Sequence, residues 1–280
     1  MKAAPLVACI TDFGTEDFYA GALRGALFGG LARGSVADIT HEVPAGDVRR
    51  AGLLLWEAQP SFPKGTVFVV VVDPGVGSGR HAAVFRFPDC DIVCPDNGTV
   101  TFLLERFKEF QAVEILADRI GAQPHSNTFH GRDVFAPAAI QLAGGRPLSS
   151  FGPPLPSPQR LPLPRLQSLA GGGWEGEALY SDHFGNIITS IGRMSYDFGE
   201  LSPWIQTGAR GGKIHSAAYV ELCDGSRIPK GKTYSDASGG PGRIAVVGSS
   251  GLLEIAAWRS AAGIADTLKP GSVIRLVSPA

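Results

Sequence analysis

The first half of the chain alternates between strand-like and helix-like hydrophobic patterns. LVACITDFG, SVADITHEV and GTVFVVVVDPG have short apolar runs typical of strands, and the valine-rich third is suited to burial on both faces. FYAGALRGALFGGL and VRRAGLLLWEAQ lie between them with apolar residues at helical spacing. HAAVFRF and DIVCPDNG predict two more strands, and GTVTFLLERF and FAPAAIQLAGG two more helices. This alternation predicts an α/β domain with a mainly parallel sheet flanked by helices.

The pattern changes in a proline-rich stretch, residues 146–173, which carries seven prolines and closes with three glycines. Because proline lacks a backbone donor and has a fixed φ, this stretch is a linker or a wrapping segment. The pieces beyond it are short, strand-like and broken by Gly and Asp, which favours a small antiparallel β-barrel, with a sandwich as the alternative. LLEIAAWRSAAGIA is compatible with either helix or strand. We therefore predict an α/β N-terminal domain over 1–150, a linker over 151–172 and a β-barrel C-terminal domain over 173–280.

Length, charge and hydropathy limit the classes of partner. A chain of 280 residues has room for about two domains. The net charge of −1 comes from 25 basic and 26 acidic residues with no basic stripe, so we expect no nucleic acid partner. The apolar runs fall short of the ~20 residues that a membrane helix needs. The N-terminal MKAAPLVACITDFG leads into an acidic turn and not a signal cleavage site, so we predict that it forms the first strand.

The cysteines are few and scattered, at Cys9, Cys90, Cys94 and Cys223. A disulfide framework would be denser, and a zinc site would need paired Cys or His ligands. We expect these residues to be small core side chains in a protein of the reducing cytoplasm.

The segment VVVVDPGVGSGR, residues 69–80, places an ionisable residue directly after a buried-looking strand. A phosphate-binding P-loop would close with Gly-Lys-Ser/Thr, and a dinucleotide-binding turn would lead into a helix. HAAVFRF follows here, so neither applies. The glycines allow a turn that returns Arg80 over Asp73. The alternative is a simple salt bridge at a strand end.

Other polar residues follow the predicted strands or precede a predicted helix. In open parallel sheets, ligands bind outside the carboxyl ends of the strands, so these residues predict a site at that edge. The alternative is that the aspartates cap turns and helix starts. The residues concerned are Asp12, His41, Asp96, Asn97, His130, Arg132 and Asp133.

Six motifs occur in a recognisable order: TDFG, DITH, VVDPGVGSGR, PDNG, TFHGRDVFAP and DHFGN. Together they resemble the S-adenosylmethionine (SAM) hydroxide adenosyltransferases, whose relatives include the fluorinases and chlorinases. The resemblance covers nearly the whole chain. It implies an α/β N-terminal domain, a β-barrel C-terminal domain and a homotrimer. SAM would lie between the N-terminal domain of one subunit and the C-terminal domain of the next.

The resemblance also implies roles for individual residues. The family's catalytic residues fall on Asp73, Arg80 and His130. The halogenase relatives differ at the positions of Asp73 and His130, so this chain resembles the hydrolase. The expected substrate-binding residues are Asp12 for the ribose, Asp182 for the amine, Phe184 and Asn186 for the adenine, Tyr234 for the adenosine face and Ser249 for the carboxylate.

Two positions depart from relatives. Gly248 replaces an asparagine that many relatives carry in the GSSG segment, and Gly46 stands where halogenases have an aromatic residue. The adenine and carboxylate contacts are the ones that these departures affect.

The implied reaction is hydrolysis of SAM to adenosine and methionine by water at ribose C5′. SAM is then the substrate, and because a neutral thioether leaves, the reaction calls for neither a metal nor another cofactor. Three alternatives stay open: a non-catalytic sensor of SAM or adenosine, a SAM-dependent halogenase, and a metal-dependent hydrolase. The last would use Asp12, His41, His130 and Asp182.

Overall fold

A computed structural model describes residues 4–122, 126, 128–170, 172–206, 209–238, 242–257 and 268–277. The chain forms two compact units, Met1–Leu161 and Pro162–Ala280. The boundaries at 150 and 172 stay predictions.

The first unit is built on a six-stranded sheet with the order β2-β1-β3-β5-β4-β6. The first four strands in that order are mutually parallel, and β4 is antiparallel to both β5 and β6. All six residues of β3 are buried, as its run of valines predicts. The mainly parallel sheet is therefore confirmed. The strands are β1 Leu6–Thr11, β2 Ser35–Thr40, β3 Thr66–Val71, β4 Ala82–Arg86, β5 Cys90–Pro95 and β6 Gln111–Glu114.

Among the described residues, α1, α2 and α4 pack on this sheet, and α3 packs against α2. Two of them, α1 and α4, contribute Leu23, Leu27 and Leu142 to a core that includes Val69 of β3. The N-terminus of α2 is capped by Asp47, which accepts a hydrogen bond from the Arg50 amide at 2.9 Å. Within the described residues, none of the helices has the length and apolarity to cross a membrane. The helices are α1 Tyr19–Gly30, α2 Val48–Ala58, α3 Thr101–Arg106 and α4 Ala136–Ala143, with a π-helical turn at Gly131–Phe135 and 3-10 turns at Gln59–Ser61 and Leu148–Ser150. A further 3-10 turn, Tyr234–Ala237, belongs to the second unit.

The first part of the proline-rich stretch runs along the first unit. Its backbone hydrogen-bonds to β6 and the turn beyond it, through Glu114 N to Pro153 O at 2.9 Å and Leu116 N to Phe151 O at 3.0 Å. Farther along, Leu161 N donates to Thr101 Oγ1 at 2.9 Å. Proline carbonyls still accept hydrogen bonds, so the stretch satisfies sheet-edge donors while it wraps around the unit.

The second unit is a nearly closed antiparallel sheet, in agreement with the predicted barrel. Its order is β13-β12-β16-β8-β9-β15-β14, and β7 pairs with β8. A bridge between Lys230 and Ala245 joins the two ends. LLEIAA forms a strand, and the rest of that ambiguous segment lies outside the described residues. The strands are β7 Leu166–Ser168, β8 Gly173–Ser181, β9 Ile187–Gly192, β10 Glu200–Leu201, β11 Gly212–Lys213, β12 Tyr219–Leu222, β13 Arg227–Ile228, β14 Arg243–Val247, β15 Leu252–Ala257 and β16 Val273–Val277.

Candidate active site

The glycine turn after β3 folds back and joins Arg80 to Asp73. Two backbone hydrogen bonds shape it, Val76 N to Asp73 O at 3.2 Å and Ser78 N to Gly75 O at 3.0 Å. Arg80 Nε donates to Asp73 Oδ1 at 2.9 Å, and Arg80 Nη2 donates to the other oxygen. The side chains are only 6% and 11% exposed for Asp73 and Arg80. Such a bidentate, shielded pair fixes the orientation of the carboxylate.

His130 is the second partner of the same guanidinium. Its Nδ1 lies 2.9 Å from Arg80 Nη2, and the Arg80 guanidinium also lies over the Phe135 ring at 5.4 Å. A guanidinium can only donate, so His130 Nδ1 accepts and the ring proton is on Nε2. Burial, followed by the positive charge of Arg80, lowers the pKa of His130 below its usual 6.5. His130 is therefore a neutral imidazole with an Nε2–H donor.

Asp73 and His130 line one cleft of about 380 Å³ together with Asp12. Asp12 follows β1, and its Oδ2 accepts a hydrogen bond from the Gly46 amide at 2.9 Å. Gly46 has φ +73°, a left-handed conformation that favours glycine, and it also lines the cleft. The carboxyl ends of β1 and β3 thus place two carboxylates at one cavity, and the start of the π-helical turn adds the His130 imidazole.

His41 of the DITH motif joins the ends of β1 and β2. Its Nδ1 lies 2.7 Å from Thr11 Oγ1, and its Nε2 lies 3.1 Å from Asp38 Oδ1. The His41 carbonyl accepts from the Gly14 amide at 2.8 Å. The His41 side chain is buried. Its contacts connect the residues that follow β2 to the end of β1 and the loop after it. Across the part of the chain that the structure describes, no group of three His, Cys, Asp or Glu residues is arranged to hold a metal ion.

Asp96 and Asp133 accept hydrogen bonds from backbone amides of loops. Asp96 Oδ1 accepts from Gln159 N at 2.9 Å, and burial raises the pKa of Asp96. Asp133 accepts from Ser126 N at 3.0 Å and pairs with Arg132 at 2.7 Å. Both aspartates thus hold other backbone segments in place, but in these contacts neither caps its own turn or a helix start, because their amide partners lie 63 and 7 residues away.

In the second unit, DHFGN forms a tight turn around Asp182. Oδ1 accepts from the Phe184 and Asn186 amides at 2.9 and 2.8 Å, and Oδ2 accepts from Asn186 Nδ2 at 3.0 Å. Phe184 is 79% exposed, whereas Asn186 is buried. The turn therefore presents an aromatic ring beside a fixed carboxylate.

Tyr234 has a partner that the sequence analysis missed. Its hydroxyl donates to Glu254 Oε2 at 2.6 Å, and Glu254 is 7% exposed. Burial, followed by the negative charge of Asp182, raises the pKa of Glu254. The sequence offers one sign that Glu254 has a polar partner, because it is an acidic residue inside the otherwise apolar LLEIAA strand. Ser249 is exposed on the turn between β14 and β15.

The Glu254 side chain also explains the glycine at position 248. A Cβ at Gly248 would lie 1.7 Å from Glu254 Oε1, so no larger residue fits while Glu254 keeps this position. The glycine at position 248, where many relatives carry asparagine, therefore leaves room for the Glu254 carboxylate.

The predicted residues fall into two groups. Asp12, Asp73, Arg80 and His130 meet within the first unit. In the second unit, Asp182, Glu254 and Tyr234 interact electrostatically, and Asp182 holds Phe184 and Asn186.

Known proteins are similar to this chain along most of its length. The models for the SAM hydroxide adenosyltransferase N-terminal and C-terminal domains match residues 7–152 and 176–275. A (R)-S-adenosyl-L-methionine hydrolase from Thermus thermophilus is 37% identical, covering 96% of this chain and 98% of that protein. Another with that name, from Salinispora arenicola, is 33% identical over 99% of this chain and all of that protein. A conserved protein from Thermotoga maritima has a crystal structure that matches with a TM-score of 0.81 at 29% identity, covering 96% of this chain and 99% of that one.

Proposed function

The chain belongs to the SAM hydroxide adenosyltransferase family of enzymes, and we propose that it hydrolyses S-adenosyl-L-methionine to adenosine and L-methionine. The observation that carries this proposal is that Arg80 links Asp73 to His130. Both of these residues line one cleft with Asp12. Asp73 and His130 are the two positions at which the halogenase relatives differ, so their presence together supports water as the nucleophile.

The difficulty of this reaction lies in the nucleophile. Water attacks C5′, the C5′–S bond breaks, the electron pair goes to sulfur as neutral methionine leaves, and one proton is released. Water is a weak nucleophile that must approach in line with the C–S bond. Holding reactants in such a near-attack geometry is worth up to about 7–11 kcal/mol in well-oriented systems.

Asp73 is the proposed acceptor of the water proton. Both of its oxygens accept hydrogen bonds from Arg80, which fixes their direction. A carboxylate is a far weaker base than hydroxide, so formation of free hydroxide before attack is disfavoured. We propose that Asp73 orients the water and removes its proton as the C5′–O bond forms.

His130 is the proposed donor to the same water. Because Nδ1 accepts from Arg80, the ring offers only its Nε2–H to the cleft. A donor at this point binds a lone pair of the water oxygen and leaves a proton of the water directed to Asp73. This geometry favours an orienting role for His130 over a proton relay.

The remaining contacts to SAM are proposed from the family resemblance. Asp12 would hold the ribose hydroxyls. Asp182 would bind the methionine amine, since its carboxylate accepts three hydrogen bonds from its own turn and has capacity for about one more donor. Phe184, Asn186 and Tyr234 would contact the adenosine, and Ser249 the carboxylate.

We further propose a homotrimer with the substrate site at the subunit interface. An aromatic patch supports a protein contact beside the cleft: Phe18 is 64% exposed, stacks on Tyr19 at 4.4 Å between ring centroids and lies against Phe129, which lines the cleft. A cytoplasmic location is a proposal supported by four cysteines that are all free. Catalysis without a metal or another cofactor is likewise a proposal.

The test is incubation of the purified protein with SAM, with and without EDTA, and chromatography of the products. We expect adenosine and methionine in equal amounts in both samples, and loss of both products in Asp73→Ala. A 5′-halo-5′-deoxyadenosine in added fluoride or chloride would indicate a halogenase. Activity lost to EDTA would indicate a metal enzyme, and bound SAM without product a sensor.

A further inference from the structure

The segment between β3 and Asp73 lies outside the ladders of the sheet. Pairing of β3 with β1 ends at Val71, and pairing with β5 ends at Val69. Val72 follows outside both ladders and is fully buried. A buried carbonyl without a partner destabilises the fold, so the Val72 carbonyl needs a donor from elsewhere.

Asn97 of the PDNG motif supplies that donor. Its Nδ2 donates to Val72 O at 2.9 Å. Its Oδ1 accepts from the Thr99 hydroxyl at 2.7 Å and from the Thr99 amide at 3.3 Å. A backbone amide can only donate and a carbonyl can only accept, so these partners fix which way the Asn97 amide faces. The side chain thus replaces the ladder hydrogen bond that β5 no longer provides.

We propose that Asn97 is a positioning residue that sets the place of Asp73 for catalysis. This inference rests on the proposed function. Asp73 is the residue after Val72, and its carboxylate must face both Arg80 and the cleft. Releasing the Val72 carbonyl frees the strand end, and a shift of about 1 Å at a reacting group costs on the order of 10²-fold in rate.

The variant Asn97→Ala tests the role by steady-state kinetics with SAM. We expect kcat to fall about 10–100-fold and KM to stay within about twofold, because the change misplaces a group that acts in the transition state. The matched control is Gln141→Leu. Gln141 Nε2 also donates to a backbone carbonyl of the first unit, Ile120 O at 2.7 Å, but Gln141 does not line the cleft. The control should lower the melting temperature similarly and leave kcat unchanged.

A milder variant, Thr99→Val, removes one donor to Asn97 Oδ1 and keeps the contact to Val72. It should give an intermediate loss of kcat, and the double variant should be no slower than Asn97→Ala, since both act through one contact. If the wild-type protein is an active hydrolase, a wild-type kcat in either single variant would overturn the positioning role. An equal loss of kcat in Gln141→Leu would overturn it as well. An inactive wild-type protein would instead refute the proposed function, and this inference with it.

Discussion

Arg80 serves two partners at once, and this sharing determines the protonation state of the site. One nitrogen of its guanidinium contacts both Asp73 and His130. A protonated His130 would carry a second positive charge and would lose its Nδ1 acceptor. The same contact therefore requires a neutral imidazole.

The first prediction concerns the pH dependence of hydrolysis. Because the pKa of His130 is lowered in the folded protein, the imidazole stays neutral until the pH falls below its ordinary 6.5. Protonation at lower pH repels Arg80, so we expect kcat/KM, which reports the free enzyme, to decrease only below about pH 6.5. His130→Asn, which keeps an acceptor but does not titrate, should lose this His130 component of the pH profile of kcat/KM. If the titration that disappears in His130→Asn has a midpoint above pH 7, the role of His130 as a neutral donor is refuted.

The second prediction concerns the fit between Gly248 and Glu254. Gly248→Ala places a Cβ against Glu254 Oε1 and should destabilise the protein by about 1–3 kcal/mol, as overpacking commonly does. In the Glu254→Ala background the same change should cost much less. Chemical denaturation measures both effects, and additive losses would show that the two residues do not compete for space.

Prediction at the residue scale succeeds where partners are close in the sequence. The spacing of Asp73 and Arg80 across a glycine turn predicts their contact. The Asn97–Val72 and Tyr234–Glu254 contacts join residues 25 and 20 positions apart, so no local pattern indicates them. Gly248 likewise makes sense only once Glu254 is placed beside it.

The glycine turn is the element on which the site depends. Gly77 has φ +78°, whereas Gly79 has an ordinary φ and open space within 4 Å of the point where a Cβ would lie. Gly77→Ala strains the backbone by about 1–2 kcal/mol and should displace Arg80. We expect a reduced kcat for Gly77→Ala and near wild-type kcat for the matched Gly79→Ala. Equal kcat values in the two variants would mean that the turn does not position Arg80.

Most elements of the first unit are predictable from hydrophobic periodicity, but the strand directions are not. HAAVFRF alternates in the same way whether it runs parallel or antiparallel, and it pairs antiparallel with both neighbours. The π-helical turn at Gly131–Phe135 has the composition of an ordinary helix start. Long-range pairing decides such features, and a single sequence does not encode them locally.

The fourth prediction is that the protein assembles as a homotrimer. Light scattering should give three times the 29.3 kDa mass of the chain. Phe18→Asp places a charge in the aromatic patch and should weaken assembly and hydrolysis together. Phe28→Asp is the matched control, because Phe28 is similarly exposed on α1. A monomeric wild-type protein with full activity would exclude a shared site.

Isotope labelling distinguishes attack of water at ribose C5′ from other routes to the same products. The protein is incubated with SAM in ¹⁸O-labelled water, and the products are analysed by mass spectrometry beside an Asp73→Ala control. We expect one ¹⁸O atom in the 5′-hydroxyl of adenosine, unlabelled methionine, and neither product from the variant. Label in the amino acid product, or adenosine formed without label, would contradict attack of water at C5′.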